Sequence, residues 1–533
     1  MPWYHHTTVY QIYPRSFNDS NGDGIGDIQG IIHKLDYIKS VGYETIWCSP
    51  FFKSPQQDFG YDISDYCDIA PEYGTMADAQ QLIDEVHKRG MKIVFDMVMN
   101  HTSAEHPWFK NDEKRSNTGD YYIWADKPNN WKSLTGGSGW HYSETRKQYY
   151  WSSFLPFQPD LNYHNPEVKK AMLENVRFWL RKGVDGFRLD IFNVIYKDAE
   201  LRNNPASARA IPSETNPNGF FQQFKYTINQ PGSMLFAKEL RAVCDEFGEK
   251  MLVGEVTGDR QTIKKFLGED KNDGLGLVFN FEMLPFKFKA NYFHELISNS
   301  EKDFKDPFMP VYVFSNHDRR RSMKRLKDDV QKAKVLHLMQ LTVRGVPFMY
   351  YGEEIGMSDA RIPFKEGLDP IAQKMRKVPR FLFDLAGETP NRDELRTPMQ
   401  WDSTRNAGFT SVDKTWLPVH NNYLHVNVEK EKSDVGSLLS FITGILKLRN
   451  TMTAIKSGSL EFIERKNLPK NVLAYKRKAG GEEILVLLNF SKKEKTVSLP
   501  ENFSQLLISA SPNEKVTGKE IHLSSFGAAI LSK

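Results

Sequence analysis

The sequence predicts an α/β fold: a (β/α)8 TIM barrel with an inserted subdomain after strand three and a C-terminal antiparallel β-domain. Three observations predict it. Short apolar runs alternate with helix-period segments through the first two thirds of the chain, the pattern of parallel βαβ units. Eight such runs fall within roughly 350 residues, the strand count of a closed barrel. From about Ser457 the pattern changes to short alternating strands, VLAYKR and EILVLLNFS among them, with no helix between. At 533 residues the chain is too long for one ordinary core. The expected boundaries are 1–101 and 163–455 for the barrel, 102–162 for the insertion, and 456–533 for a C-terminal β-sandwich domain.

Taken in order, residues 9–13 (VYQIY) read as the first strand, stopped by Pro14. The loop DSNGDGIGDIQG follows. Asp19, Asn21, Asp23 and Asp27 alternate with glycines whose sharp turns let the oxygens converge on one hard cation, and Ile25 offers its carbonyl. The spacing resembles a calcium loop through its ninth position, but Gly30 stands where the bidentate Glu would be. A structural Ca2+ is expected, with Mg2+ as the substitute and a metal-free polar turn as the alternative. No organic cofactor is expected.

Residues 31–40 have a helix pattern and 43–49 a strand pattern, and the next loop offers Asp58, Tyr61 and Asp62. A helix over 77–89 ends at Gly90, and the strand 91–99 (MKIVFDMVM) runs into Asn100 and His101. The rhythm then breaks into a Trp-, Tyr-, Gly- and Asn-rich stretch, read as an insertion on the catalytic face. It resumes at 165–182, where Val168, Met172, Val176 and Trp179 mark one helix face. Next comes GVDGFRLDIFN, then a helix over 239–249 and strands over 251–256, 276–282 and 309–316. A helix over 328–343 leads to the last strand, 346–351. Residues 353 to 440 are polar and punctuated by Pro and Gly, with no clear element.

Composition excludes several functions. With 71 basic and 67 acidic residues, net charge +4, there is no electrostatic case for nucleic acid. No apolar run approaches the ~18 residues of a membrane span. Cys48, Cys67 and Cys244 form neither a metal pattern nor a disulfide framework, which fits a reducing cytosol. The N-terminus lacks signal-peptide character. The expectation is a cytoplasmic monomer or weak homo-oligomer whose partner is a small substrate rather than nucleic acid or membrane.

Within GVDGFRLDIFN, Arg188 and Asp190 share one side of a strand. Alone, the pair reads equally as a structural ion pair or a site. Three further acids stand at predicted strand ends: Asp96, Glu255 and Asp318. Barrel strand ends share one face, and repelling acids gathered there push their pKa values apart, giving one ionised and one protonated carboxyl. Retaining glycoside hydrolysis needs that arrangement.

DMVMNH, GFRLD, GEV and SNHD resemble, in order, the four signature segments of the α-amylase superfamily, glycoside hydrolase family 13. QPDLN and GVPFMYYGEEIGM resemble its accessory segments, and RTPMQWD its oligo-1,6-glucosidase and α-glucosidase branch. The resemblance implies Asp190 as nucleophile, Glu255 as general acid and base, and Asp318 as the group on the sugar 2- and 3-hydroxyls. It implies Arg188 as the charge partner of Asp190, with His101 and His317 as hydroxyl donors. Asp58 and Arg396 would grip the non-reducing 4-hydroxyl, making the enzyme exo-acting. Tyr61 would stack beneath the ring, and Phe157 would line the wall unless it merely packs there. Asp96 and Asn100 would be supports.

The implied activity is that of a retaining exo-α-glucosidase acting on short oligosaccharides. In this branch Ala after the nucleophile goes with α-1,4 and Val with α-1,6 activity. Here that position is Ile191, and with Gln158 it favours α-1,6 linkages such as those of isomaltose and panose. α-1,4-Glucosidase, sucrose- or trehalose-acting hydrolase and isomerising transglucosylase share the catalytic set. They differ in loops such as that following Arg319, Arg320 and Arg321. A non-enzymatic homologue is disfavoured by the three retained carboxylates, and an endo-amylase by Asp58 and Arg396.

Overall fold

The computed structural model describes residues 1–533 except 382, 384–388 and 501. Eight parallel strands form one sheet: β1 (Val9–Ile12), β2 (Thr45–Cys48), β3 (Lys92–Met97), β4 (Gly186–Leu189), β5 (Met251–Gly254), β6 (Leu277–Val278), β7 (Val311–Val313) and β8 (Val346–Tyr350). The order β6-β5-β4-β3-β2-β1-β8-β7 follows the chain, so the (β/α)8 barrel is closed except between β6 and β7. Among the described residues no helix is long and apolar enough to cross a membrane.

The chain divides into two compact units. In the unit of residues 47–282 and 306–308, β3 pairs with β4 so that Asp96 lies beside Arg188. β4 pairs with β5 so that Leu189 lies beside Gly254. Asp190 and Glu255, the next residues, therefore leave adjacent strands at the same level. The preceding helix, Pro166–Arg181, starts with an Asn165 cap and Pro166 in its first turn, and buries the predicted face of Val168, Met172, Val176 and Trp179. The insertion builds a helix, Pro107–Glu113, and a three-stranded sheet around Ile123, Trp131, Trp140 and Trp151. It returns antiparallel to the end of β3, with Leu161 N donating to the Asn100 carbonyl at 2.9 Å.

In the other unit, β8 pairs with β1, Phe348 beside Val9, and with β7, Val346 beside Val311. The C-terminal strands form a five-stranded and a three-stranded sheet. Leu485, Leu487, Leu531, Val497 and Ile521 share the core between them.

Some expectations differ in detail. The helix expected over 31–40 is two, Ile28–His33 and Leu35–Val41, broken at Lys34, whose φ of −105° and ψ of 3° are not helical. The helix expected over 239–249 runs from Pro231 to Asp245, with Pro231 in its first turn, where proline is favoured. Helices Arg260–Leu267, Ala290–Asp303 and Leu438–Thr451 were not anticipated. Leu438–Thr451 buries Leu438, Leu439, Phe441, Ile442, Ile445 and Leu446 at helix spacing. Among its described residues, the stretch 353–437 holds short helices and 3-10 turns, such as Pro370–Met375 and Arg392–Leu395.

Candidate active site

Arg188 is 1% exposed and its guanidinium serves three carboxylates. Nη1 donates to Asp96 Oδ1 at 2.9 Å and to Asp190 Oδ1 at 2.8 Å. Nη2 donates to Glu255 Oε2. The sequence reading paired Arg188 with Asp190; its bonds to Asp96 and Glu255 are additional. The guanidinium also lies over the Trp47 and Tyr61 rings, 5.2 and 5.8 Å from their centroids. Asp96 is further held by Trp47 Nε1 and Tyr61 Oη, each at 3.2 Å. Burial pushes the Asp96 carboxyl up, to about 6, against the pull of Arg188. Asp190 and Glu255 are the carboxylates that solvent reaches, with side chains 11% and 18% exposed.

Ile191 follows the nucleophile candidate at φ 36° and ψ 45°. A β-branched residue in the left-handed region stores strain of order 1–3 kcal/mol. The turn is held from beyond it, where Phe192 N donates to the Glu255 carbonyl at 2.9 Å. The half-buried Ile191 side chain packs against Val194, Phe224 and Ile228.

Asp58, Tyr61, His101 and Gln158 meet in the same unit. Gln158 Nε2 donates to Asp58 Oδ2 at 3.1 Å, while its Oε1 is buried without a hydrogen-bond partner. The Tyr61 carbonyl accepts from His101 Nε2 at 3.1 Å, and burial lowers the His101 pKa. Phe157 is half-buried, its carbonyl taken by Ala104 N at 2.8 Å.

In the other unit, Asp318 is surrounded by two arginines and a histidine. Arg396 Nη2 reaches Oδ1 at 2.7 Å, Arg392 Nη1 at 3.1 Å, and His317 Nε2 lies 3.2 Å from Oδ2. Burial opposes its charge, yet His317, Arg392 and Arg396 hold the carboxyl well below the usual range. Gln11 Nε2 sits 2.7 Å from His317 Nδ1, which makes Nδ1 the acceptor and leaves the proton on Nε2, toward Asp318. Arg396 is fully enclosed, and its Nε donates to the His317 carbonyl at 2.7 Å. The Arg392 side chain is 11% exposed, and Asp369 grips its guanidinium at 2.8 and 3.0 Å. Of the arginine run, Arg319 and Arg320 are half-buried, whereas Arg321 is fully buried and donates to the Tyr351 carbonyl at 2.7 Å.

The Asp19–Asp27 loop folds through its own amides. Asp19 accepts from Asn21, Gly22 and Gly24 N, and Asp27 accepts from Gly30 N and so caps the helix Ile28–His33. Asn21 and Asp23 are exposed. Among the described residues no three His, Cys, Asp or Glu side chains gather as a metal cluster. The all-oxygen donor set nonetheless has the chemistry that suits a hard cation.

Residues 11–458 match the alpha amylase catalytic domain, and residues 472–530 match the alpha-amylase SusG C-terminal domain. The chain belongs to the α-amylase family. Within this family, an oligo-1,6-glucosidase of Parageobacillus thermoglucosidasius is 36% identical over 570 residues, covering 99% of this chain and 98% of its own. A protein of Rhizobium meliloti (strain 1021) named "Probable alpha-glucosidase" is 38% identical over 547 residues, covering 99% and 96%. Among solved structures, the α-glucosyl transfer enzyme XgtA has a TM-score of 0.90 at 35% identity, covering 100% and 99%. Trehalulose synthase MutB from Pseudomonas mesoacidophila MX-45 has a TM-score of 0.88 at 30% identity, covering 100% and 99%. The chain is thus an α-amylase-family glycoside hydrolase. Two polar side chains escaped the sequence reading of this family member. Arg392 had a signal, standing four residues before Arg396. Lys197, buried in a stretch that reads as loop, had none.

Proposed function

We propose that the protein is a retaining, exo-acting α-glucosidase that releases the non-reducing glucosyl unit of short oligosaccharides, with α-1,6 linkages preferred. The observation that carries this reading is the register of β4 and β5, which sets Asp190 and Glu255 level on neighbouring strands around one guanidinium. Asp190 attacks the anomeric carbon while Glu255 protonates the departing oxygen. Glu255, now a carboxylate, takes a proton from water, which displaces Asp190 from the glucosyl-enzyme ester. Arg188 keeps Asp190 ionised. Asp318 and the two histidines bind hydroxyls of the same ring, Tyr61 lies beneath it, and Phe157 forms wall. Asp58, oriented by Gln158, takes the terminal 4-hydroxyl, which stops the chain at one glucose and makes the action exo. Arg396 is the proposed partner of Asp58 for that hydroxyl and also fixes Asp318, to which its Nη2 donates at 2.7 Å.

Ile191 supports the α-1,6 preference, as its branched side chain narrows the space beyond the nucleophile. The loop of Asp19, Asn21, Asp23, Ile25 and Asp27 would hold a structural Ca2+, which adds charge neutralisation and rigidity rather than chemistry.

A second reading, transfer of the glucosyl unit to a sugar acceptor or sucrose isomerisation, is favoured by the structural likeness to an α-glucosyl transfer enzyme and a trehalulose synthase. Isomaltose, maltose, panose, sucrose and trehalose assayed side by side, with products resolved by linkage, separate the two. Glucose from isomaltose and panose is expected. Faster cleavage of maltose would sink the α-1,6 preference, and rearranged disaccharides from sucrose would favour the second reading.

A further inference from the structure

Lys197 is buried, its side chain 1% exposed, with Nζ 2.5 Å from Asp160 Oδ2 and 2.5 Å from Asn100 Oδ1. Its own carbonyl is pinned by His164 Nε2 at 2.8 Å. An ammonium group only donates. Asn100 must therefore turn its oxygen to Lys197, which leaves its NH2 facing His101 Nδ1 at 3.1 Å. Nδ1 has to accept, so the imidazole proton belongs on Nε2. There it meets the Tyr61 carbonyl, an acceptor, 3.1 Å away. The two ends of the ring demand the same tautomer. A neutral amide at position 197 could pair with either end of Asn100 and would let it flip; an ammonium cannot.

We propose that Lys197 is a positioning residue which, through Asn100, locks His101 as the neutral Nε2–H tautomer. Asp160 is its counter-ion, and removing either charge alone leaves the other buried. The consequence for catalysis rests on the α-glucosidase reading: the Nε2–H that donates to the Tyr61 carbonyl at 3.1 Å is the donor a substrate hydroxyl would share, where the other tautomer would offer only a lone pair. The tautomer itself does not depend on that reading.

The full chain labelled with 15N-histidine tests this by NMR. His101 is assigned among the 14 histidines as the resonance missing from His101→Asn. The wild type is expected to show a protonated Nε2 and an unprotonated Nδ1 at pH 7. In the double variant Lys197→Met/Asp160→Asn, which leaves no unpaired charge, the Nε2–H fraction of His101 should fall and Nδ1–H should become detectable, because only the Tyr61 carbonyl still favours Nε2–H. kcat/KM on an α-glucoside should fall about tenfold, the worth of one hydrogen bond. Should that variant misfold, Asn100→Asp serves, because its carboxylate cannot donate to Nδ1 and should drive a proton onto it. A wild-type His101 protonated on Nδ1, or a tautomer unmoved in the folded variants, overturns the proposal. Undiminished hydrolysis by His101→Asn would instead overturn the substrate role of His101 and leave the tautomer result standing.

Discussion

Arg188 and Asp190 are joined across one pleat of β4, Nη1 to Oδ1 at 2.8 Å, by a guanidinium that is 1% exposed. Because the same group also serves Asp96 and Glu255, it is the common counter-ion of the cluster. A lysine is a compact point charge and cannot hold three carboxylates in fixed directions. Arg188→Lys is expected to lower kcat by at least about a hundredfold with a smaller change in KM. Arg188→Ala, which strands Asp96, should cost about 3–5 kcal/mol in urea unfolding. Near-normal stability of the alanine variant would contradict the role of counter-ion.

Ile191 combines a left-handed backbone with a branched side chain. Ile191→Ala removes the branch and opens the space beyond Asp190. The ratio of maltose to isomaltose kcat/KM should rise at least about tenfold, the low end of the change expected when hydrocarbon is removed from a pocket. An unchanged ratio would remove Ile191 from the selection of linkage.

Asp318 is held below the usual carboxylate range despite burial, by His317, Arg392 and Arg396. A depressed folded pKa contributes stability above the unfolded value of about 3.9 and loses it as pH falls through the folded value. Arg396→Met should bring that folded value up. Its deficit against the wild type should then be constant above about pH 5 and shrink below about pH 4. Acid unfolding curves of the two proteins provide the check.

Glu354 has the opposite sign. Burial raises its carboxyl from 4.5 to about 7, although Tyr10 and Tyr37 donate to it at 2.7 and 2.8 Å. The folded protein therefore holds a proton that the unfolded chain releases above about pH 4.3, and stability falls as pH rises toward 7. Glu354→Gln stays neutral and should lose that slope, gaining on the wild type by the order of 3 kcal/mol between pH 4 and pH 8. Parallel slopes in the two proteins would count against it.

Occupation of the Asp19–Asp27 loop predicts a Ca2+ response. Thermal unfolding of chelator-treated protein should shift upward by several degrees with millimolar Ca2+, as for any ligand bound only by the folded state. Asp23→Ala, which removes an exposed oxygen donor but no buried carboxylate, should lose the shift. A shift retained in that variant would place the cation elsewhere.

The barrel was legible because its signals are local. The apolar run of β3 or β8 and the face of Val168, Met172, Val176 and Trp179 are written within single elements. Asp190 and Glu255 were legible for the same reason: each closes a strand, and parallel strands end on one face. The helix Leu438–Thr451 was not anticipated, although its buried residues Leu438, Phe441, Ile442 and Ile445 stand at helix spacing.

The sequence by itself determined which strands exist, where the carboxylates stand along them and which family they signify. Tertiary structure alone decided what each long side chain touches. Arg188 reaches Glu255 because the β4–β5 register sets Leu189 beside Gly254. Arg392 reaches Asp318 across 74 positions, and Lys197 reaches Asn100 across 97. The reason is physical: backbone periodicity is imposed by neighbours in the chain, whereas a flexible side chain takes its rotamer and partner from whatever packing brings within 3 Å.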